Sequence, residues 1–251
     1  MIDPNKISRL LKTRLLGRVM TILDEIDSTN AEAMRRLDGG KAPDGLVIIA
    51  EKQTAGKGRR GNDWFSDGGL CMTAVLDAGG RLSGPVALAA GIGVAEGLST
   101  ATGLDFFLKY PNDVISSRTG GKKIGGILAQ SKRGSLVVGI GVNVGRASFP
   151  AGLAESATSL ALLGIDLDLE TAAAGILNSL EPWLFELKGG NFSLIRERWL
   201  KLNCTVGGRV VVRDATPAVE GVAVGLDADG ALLVETDRGL ARVLTGGLSD
   251  G

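Results

Sequence analysis

Apolar residues in the first part of the chain form short continuous runs that alternate with segments of helical spacing. The short runs predict β-strands at residues 17–26, 46–50, 70–76, 104–110, 123–130 and 135–144. Start and stop signals predict helices at residues 31–37, from Ser83 and Pro85 to Gly103, from Asp168 to about residue 187, and from Asn191 to about residue 202. We therefore predict an α+β fold in which residues 1–202 form a mixed β-sheet flanked by helices.

The pattern changes after Cys204, where the apolar runs become shorter and glycine turns separate them. Strands are predicted at residues 206–213, 219–226, 231–235 and 240–244. Several short strands at this spacing are typical of a small β-barrel. Residues 203–251 are therefore predicted to form a second, smaller domain.

Composition excludes several classes of chemistry. The chain of 251 residues contains no histidine, which removes Ser-His-Asp triads, Cys-His pairs and every zinc site with a histidine ligand. Its 28 lysines and arginines equal its 28 aspartates and glutamates, whereas a dedicated nucleic-acid binder should carry a basic excess. Cys71 and Cys204 are far apart and lie in no C-x-x-C pair, so we expect two buried thiols.

The apolar stretches favour a protein of the cytoplasm that enters no membrane. Residues 1–18 lack an apolar core of signal-peptide length. The most apolar later stretch, residues 86–98, is short, rich in glycine and interrupted by Glu96.

The strongest chemical signal is a basic, glycine-rich loop that runs from Gln53 to Trp64. It places Lys57, Arg59 and Arg60 within four positions, among glycines that let the backbone approach a ligand closely. Clustered cations of this kind suit phosphate groups, and arginine adds bidentate geometry to charge. A flat aromatic ring directly after the cations can stack on a base, which favours a nucleotide.

Two other interpretations of this loop fail, and a third stays open. The loop spells G-x-G-x-x-G after a predicted strand, but residues 62–69 do not open the helix that a dinucleotide site requires. It is not a Walker A loop, because Gly58 and not serine or threonine follows Lys57. A solvated basic hairpin without a ligand remains the alternative.

Ser28-Thr29-Asn30 offers two hydroxyls and an amide directly before a predicted helix. These groups could bind a neutral polar ligand. However, Thr29 and Glu32 also form a capping box, and capping alone would explain the threonine.

Three later segments place single polar residues beside apolar strands. Asn112 and Asp113 follow a proline, which is also ordinary turn chemistry. Lys123 enters an apolar strand, where a lysine usually faces solvent. Asn143 is the one amide in another apolar strand, and a buried amide needs partners, among which a ligand would count.

In this order and spacing, the segments resemble the biotin protein ligase family. The resemblance covers roughly residues 20 to 145 and rests on five motifs, Asp27 to Asn30, Ala50 to Trp64, Lys109 to Asp113, Lys123 to Leu128 and Gly139 to Val144. The segment after Cys204 is similar to that family's small SH3-like C-terminal β-barrel. The family usually has arginine where this chain has Lys57 and Asn62, so the loop here carries less bidentate capacity.

The resemblance implies that polar residues hold a biotin ring and that the basic loop folds over the biotin carboxylate and the adenylate phosphate. It assigns biotin binding to Ser28, Thr29, Asn30, Gln53, Lys57, Gly58, Arg59 and Lys123. It assigns ATP binding to Arg59, Trp64, Asn112, Lys123 and Asn143. The implied substrates are biotin and ATP, with Mg²⁺ carried by the ATP, while a metal site of the protein itself stays unknown.

The implied activity is that of an ATP-dependent, AMP-forming ligase. Biotin is activated to biotinyl-5'-AMP and then transferred to a lysine of a biotin carboxyl carrier protein domain. We expect Lys123 and Arg59 to stabilise the charge of the first step, and Asp113 to orient the carrier amine or accept its proton.

Two other activities are compatible with the same residues. A lipoate-type acyl ligase on a related fold is the nearest alternative, and a non-enzymatic sensor of biotin or nucleotide is another. Gln53 and the segment 28–30 favour a urea-bearing ring over a flat dithiolane. Some family members carry an N-terminal DNA-binding domain, but only about 27 residues precede Ser28, so we expect no specific DNA binding. A homodimer is left open.

Overall fold

The computed structural model describes residues 1–78, 85–212, 218–244 and 248–250. Its helices are α1 (Pro4–Leu10), α2 (Thr29–Asp38), α3 (Val86–Thr102), α4 (Leu169–Lys188) and α5 (Phe192–Leu202). Its strands are β1 (Met20–Ile26), β2 (Val47–Gln53), β3 (Gly69–Asp77), β4 (Phe107–Lys109), β5 (Asp113–Ile115), β6 (Lys123–Lys132), β7 (Ser135–Asn143), β8 (Arg209–Val212), β9 (Val219–Leu226), β10 (Leu232–Thr236), β11 (Gly239–Val243) and β12 (Leu248–Asp250). The predicted boundary residues Ser83 and Arg213 lie outside the described residues. None of the described helices is long and apolar enough to cross a membrane.

The main sheet is mixed. Its described strands number seven, in the order β1-β2-β3-β7-β6-β5-β4. β1 and β2 run parallel, because α2 carries the chain back to the end of the sheet at which β1 begins. All other neighbouring strands of this sheet are antiparallel. The predicted α+β class and the helix-flanked mixed sheet are therefore confirmed.

The C-terminal segment forms a sheet of its own. Five described strands pair in the antiparallel order β11-β10-β9-β8-β12. This confirms a small β-rich unit after α5. The domain boundary between residues 202 and 203 stays a prediction.

The two faces of the main sheet have different surroundings. Leu70, Met72, Ala74 and Leu76 of β3 belong to the large core that α3 and α4 complete. Val75 instead packs in a smaller cluster with α2. Since successive strand residues point to opposite faces, Cys71 and Thr73 share the α2 side of the sheet with Val75. This second face carries the polar residues of the site.

Glycines let α3 and α4 pack in close contact behind the sheet. A Cβ on Gly93 would lie 2.6 Å from Leu180 Cα, and a Cβ on Gly97 would lie 2.6 Å from Ile176 Cα. Any larger residue at these two positions would push the helices apart. The sheet that carries the site therefore rests on a tightly packed helical layer.

The sequence pattern does not predict α1 or β5. α1 is short and begins at Pro4, with the Asp3 side chain as its N-cap. Residues 113–115 form β5 because they pair with β4 on one side and β6 on the other. The strand predicted at residues 104–110 is shorter than expected, since β4 covers only Phe107–Lys109.

Candidate active site

One cleft brings together most of the predicted site residues. It lies between the start of α2, the end of β2, the basic loop and strands β6 and β7. It is lined by Ser28, Thr29, Asn30, Gln53, Lys57, Gly58, Arg59, Trp64, Asn112, Asp113 and Lys123. Asn143 lies outside this cleft and lines a second one beside it.

The start of α2 forms one wall of the cleft. Ser28 is the N-cap, and its Oγ accepts a hydrogen bond from Ala31 N at 3.4 Å. Thr29 directs both its backbone N–H and its hydroxyl to Gln53 Oε1, at 2.7 and 3.0 Å. The capping explanation of Thr29 is therefore wrong, because Ser28 does the capping and Thr29 is free to bind Gln53.

Asn30, the next residue of α2, is buried at the bottom of the cleft. Its Nδ2 donates to Gln130 Oε1 at 2.9 Å, and its Oδ1 accepts from the Thr73 hydroxyl at 2.6 Å. The amide fits only because residue 139 is glycine, since a Cβ there would lie 2.2 Å from Asn30 Oδ1. This end of the cleft is therefore a rigid set of neutral donors and acceptors.

Trp64 covers the middle of the sheet face. A Cβ on Gly141 would lie 2.3 Å from its Cε2 atom, so the indole ring rests on the bare backbone of β7.

The Cys71 thiol lies near this ring. Burial raises the pKa of the Cys71 thiol to about 11, and hydrogen bonds to the side chains of Trp64 and Gln53 oppose this rise. Neither cysteine forms a disulfide within the described part of the chain. The expectation of burial is confirmed for Cys71, whereas Cys204 is only half-buried.

The basic loop is a closed turn. Lys57 Nζ lies 2.7 Å from Asp63 Oδ1, and Gly58 N donates to Asn62 O at 2.7 Å. Arg60 adopts a φ of 61°, which completes a short 3₁₀ turn at Arg59–Gly61. No helix follows in residues 62–68, which agrees with the exclusion of a dinucleotide fold.

Arg59 points inward from this loop. Its Nη1 donates to Asn112 Oδ1 at 3.2 Å. The Asn112 Nδ2 donates in turn to Ile127 O at 3.0 Å, which anchors the pair to β6. Burial lowers the pKa of the Arg59 guanidinium, and the charge of Arg60 adds to this effect. A half-buried cation of this kind is poised for an anionic ligand.

Lys123 and Asp113 form an ion pair in the cleft. Lys123 Nζ lies 2.7 Å from Asp113 Oδ1 and 6.0 Å from the centre of the Trp64 ring. Asp113 is the first residue of β5, directly after the turn, and its role in catalysis stays a prediction. The pairing arises because β5 and β6 are neighbours in the sheet.

Asn143 has a partner within the protein. Its Nδ2 donates to Thr158 O at 2.9 Å. Thr158 N donates to Lys123 O at 2.8 Å, so the segment that follows β7 is tied to both strands. The second cleft lies along this segment and shares Trp64, Asp113 and Lys123 with the first cleft. Whether Asn143 also contacts a nucleotide stays a prediction.

Three supporting residues escape the sequence analysis. Thr73 contacts Thr29 and Asn30, Gln130 accepts from Asn30, and Ser66 exchanges hydrogen bonds with the Gln53 backbone. Thr73 could have been found, because it is a single hydroxyl in an otherwise apolar strand. Gln130 and Ser66 carry no such signal.

The arrangement combines a neutral polar end with a cationic end. The carboxylates of the cleft, Asp63 and Asp113, each pair with a lysine. Among the described residues, no group of three or more histidine, cysteine, aspartate or glutamate side chains could hold a metal ion.

Comparisons with known proteins identify similar sequences and structures. Residues 23–146 match the sequence model of the biotin/lipoate A/B protein ligase family, and residues 205–247 match that of the biotin protein ligase C terminal domain. The chain is 31% identical over 245 residues to the bifunctional ligase/repressor BirA of Bacillus subtilis, covering 93% of this chain and 74% of that protein. It is 31% identical over 249 residues to the biotin–acetyl-CoA-carboxylase ligase of Mycobacterium tuberculosis, covering 93% and 91%.

A solved structure matches over almost the whole chain. The biotin protein ligase from Aquifex aeolicus in complex with biotin and ATP superimposes with a TM-score of 0.83 at 28% identity. The match covers 93% of this chain and 100% of the other.

Proposed function

Because this chain belongs to the biotin protein ligase family, we propose that it activates biotin with ATP and transfers the biotinyl group to a lysine of a carrier protein. One observation carries the proposal. A single cleft holds a neutral amide and hydroxyl set, around Thr29, Asn30 and Gln53, together with the cations Arg59 and Lys123. The neutral set suits an uncharged ureido ring, and the cations suit a carboxylate beside a phosphate.

In the first step, the biotin carboxylate attacks the α-phosphorus of ATP, and pyrophosphate leaves with the electrons of the broken P–O bond. Two anions approach each other, so cations aimed at the phosphoryl oxygens help most. Lys123 and Arg59 take this role, and one such donor lowers the activation barrier by about 3 kcal/mol. Mg²⁺ carried by the nucleotide supplies further neutralisation of phosphate charge.

In the second step, the lysine amine of the carrier attacks the carbonyl of biotinyl-5'-AMP, and AMP leaves. The amine must lose its proton to attack. Asp113 pairs with Lys123 at 2.7 Å. Once Lys123 turns to the phosphate, Asp113 has an open oxygen for the incoming amine.

The partners follow from the same chemistry. The acceptor is the biotin carboxyl carrier domain of a biotin-dependent carboxylase, because such a domain presents an exposed lysine for this modification. We place the reaction in the cytoplasm, where ATP and carboxylases meet. A homodimer and the lack of specific DNA binding stay predictions.

Mass spectrometry tests the proposed function. After incubation with biotin, MgATP and a carrier domain, the carrier should gain the mass of one biotinyl group, with none gained without ATP. Pyrophosphate release should depend on biotin and not on lipoate or octanoate. Release with lipoate instead would indicate a lipoate-type ligase, and tight biotin binding without adenylate would indicate a sensor.

Replacing Gly139 by alanine should lower biotin affinity about tenfold, because the new Cβ would lie 2.2 Å from Asn30 Oδ1 and displace the amide. Titration calorimetry with biotin measures the change. Gly152→Ala is the matched control, since a Cβ there meets no atom within 4 Å. Equal biotin affinity in the two variants would remove the Asn30 floor from the biotin site.

A further inference from the structure

Tyr110 joins the turn of the active site to the C-terminal sheet, which is the sheet of strands β8 to β12. Its hydroxyl donates to Val243 O, at the end of β11, at 2.9 Å. The carbonyl oxygens of Gly230 and Leu244 lie 3.3 Å from the same hydroxyl. The backbone N of Tyr110 donates to the Thr205 hydroxyl at 2.8 Å. Both the side chain and the backbone of this residue are therefore bound to the C-terminal segment.

The ring of Tyr110 is fixed as well as its hydroxyl. The residue is buried, and its ring packs against that of Trp199 in α5. The two ring centres are 6.1 Å apart, and the ring planes are nearly perpendicular, at 88°. This is a favourable arrangement for an aromatic pair. The backbone at residue 110 therefore has a fixed position relative to α5 and the C-terminal sheet.

The same turn carries a contact of the active site. Only Pro111 separates Tyr110 from Asn112, and the proline ring restricts the backbone between them. Asn112 Oδ1 accepts the hydrogen bond from Arg59 Nη1 at 3.2 Å. Asn112 is itself bonded to Ile127 through its side chain, at 3.0 Å, and through its carbonyl oxygen, at 2.9 Å. A displacement of Tyr110 would therefore reach Asn112 and, through it, Arg59.

Tyr110 and Arg59 are also close in space. Both residues line the first cleft. Burial raises the pKa of the Tyr110 hydroxyl, and the charge of Arg59 is among the effects that oppose this rise. Leu244, next to the hydroxyl, lines a further groove together with Arg59 and Arg60. The C-terminal segment thus extends as far as the basic loop.

We propose that Tyr110 is a positioning residue, which binds the C-terminal sheet and thereby holds Asn112, and through it the Arg59 guanidinium, where the adenylate phosphate lies. The inference rests on the proposed function, because it takes Arg59 as a phosphate-binding residue. The competing explanation is that Tyr110 only stabilises the contact between the two sheets. The two explanations differ in one respect, since positioning requires Arg59 and stabilisation does not.

Tyr110→Phe keeps the ring and removes only the hydroxyl that donates to Val243 O. The KM for MgATP should rise about fivefold, because the turn loses one of its buried hydrogen bonds. Labelling of added albumin by escaped biotinyl-5'-AMP should rise by a similar factor, while the dissociation constant of biotin stays within about twofold. Thr205→Val breaks the contact with the Tyr110 backbone and should change the same quantities in the same direction. It provides the test if Tyr110→Phe does not fold.

Arg118→Gln is the matched control, because Arg118 joins the same two parts of the chain without lining the first cleft. Its Nη1 and Nη2 donate to Asn203 O and Lys201 O, both at 2.7 Å. Thermal unfolding measures the loss of stability in each variant. Arg118→Gln should keep the KM for MgATP and the albumin labelling within about twofold. Equal increases in Arg118→Gln and Tyr110→Phe would assign the effect to lost stability and overturn the proposal.

A double variant tests whether Tyr110 acts through Arg59. On the Arg59→Gly background, Tyr110→Phe should add nothing to the labelling of albumin, because the group that it positions is gone. An additive increase, or unchanged labelling and KM when Tyr110→Phe is made alone, would contradict the positioning role.

Hydrogen exchange provides a measurement that does not depend on catalysis. The amides of residues 56–62 should exchange faster in Tyr110→Phe than in Arg118→Gln, because the loop loses its fixed contact with Asn112. Equal exchange in the two variants would overturn the proposal. If the unaltered protein forms no biotinyl-5'-AMP, the proposed function fails, and this exchange experiment still decides whether Tyr110 positions the loop.

Discussion

Replacing Lys123 by alanine should slow biotinyl-5'-AMP formation by about a hundredfold or more, while biotin affinity falls far less. The reason is that charge on the phosphoryl oxygens grows in the transition state, where a preorganised ammonium has its largest effect. Lys123 lies in the cleft beside Asp113 and Trp64, at the cationic end and away from the neutral wall. The loss should therefore appear in kcat and not in the biotin dissociation constant.

Lys122 provides the control for this experiment, since it is the neighbouring residue with the same side chain. It is exposed, its Nζ donates to Ala154 O at 2.8 Å, and it does not line the first cleft, which contains Asn30 and Arg59. Lys122→Ala should keep adenylate formation within about twofold. Pyrophosphate release in a single turnover, followed beside calorimetry with biotin, measures both properties. If both alanine variants form adenylate at the unaltered rate, Lys123 has no part in the first step.

Local patterns were enough to predict the strands that carry the site. β2, β3, β6 and β7 each arise from an apolar run whose length and β-branched content are typical of buried strands. The basic loop was equally visible, because its cations and glycines lie within a few positions. Ser28, Gln53 and Arg59 therefore fall in one cleft, as the resemblance implied.

Contacts between distant residues were beyond such patterns. Thr73 lies 44 positions from Thr29, yet the two hydroxyls are 2.8 Å apart. β5 looks like a turn in sequence and becomes a strand only through its two neighbours. The Lys123–Asp113 pair depends on that strand, so each residue could be predicted singly and the ion pair could not. At these positions the conformation is decided by pairing with neighbouring strands and not by the local preference of the sequence.

Replacing Arg59 by glycine should let biotinyl-5'-AMP escape from the cleft and label bystander proteins. The mixed anhydride reacts with water and with any neighbouring lysine, so a closed loop must hold its phosphate and exclude solvent. Arg59 is the inward residue of the loop, half-buried and bonded to Asn112 at 3.2 Å, and its planar fork can span two oxygens. Some activation should persist, because Lys123 remains.

Lys57 is the matched comparison within the same loop. It lies two positions away, but it is exposed and paired with Asp63 at 2.7 Å. A point charge without the fork cannot replace Arg59, so Lys57→Gly should release little adenylate. Both variants add one glycine to the loop, which equalises the gain in backbone freedom. A difference between them therefore reports on the side chain and not on loop flexibility.

The measurement is a biotin blot of albumin added in trans to each variant with biotin and MgATP. Arg59→Gly should label albumin strongly, and Lys57→Gly should resemble the unaltered protein. Equal labelling by both variants would assign retention to the order of the loop as a whole. If Arg59→Gly still forms adenylate but labels albumin no more than the unaltered protein, then the intermediate is held by the remaining contacts of the cleft, with Lys123 first among them.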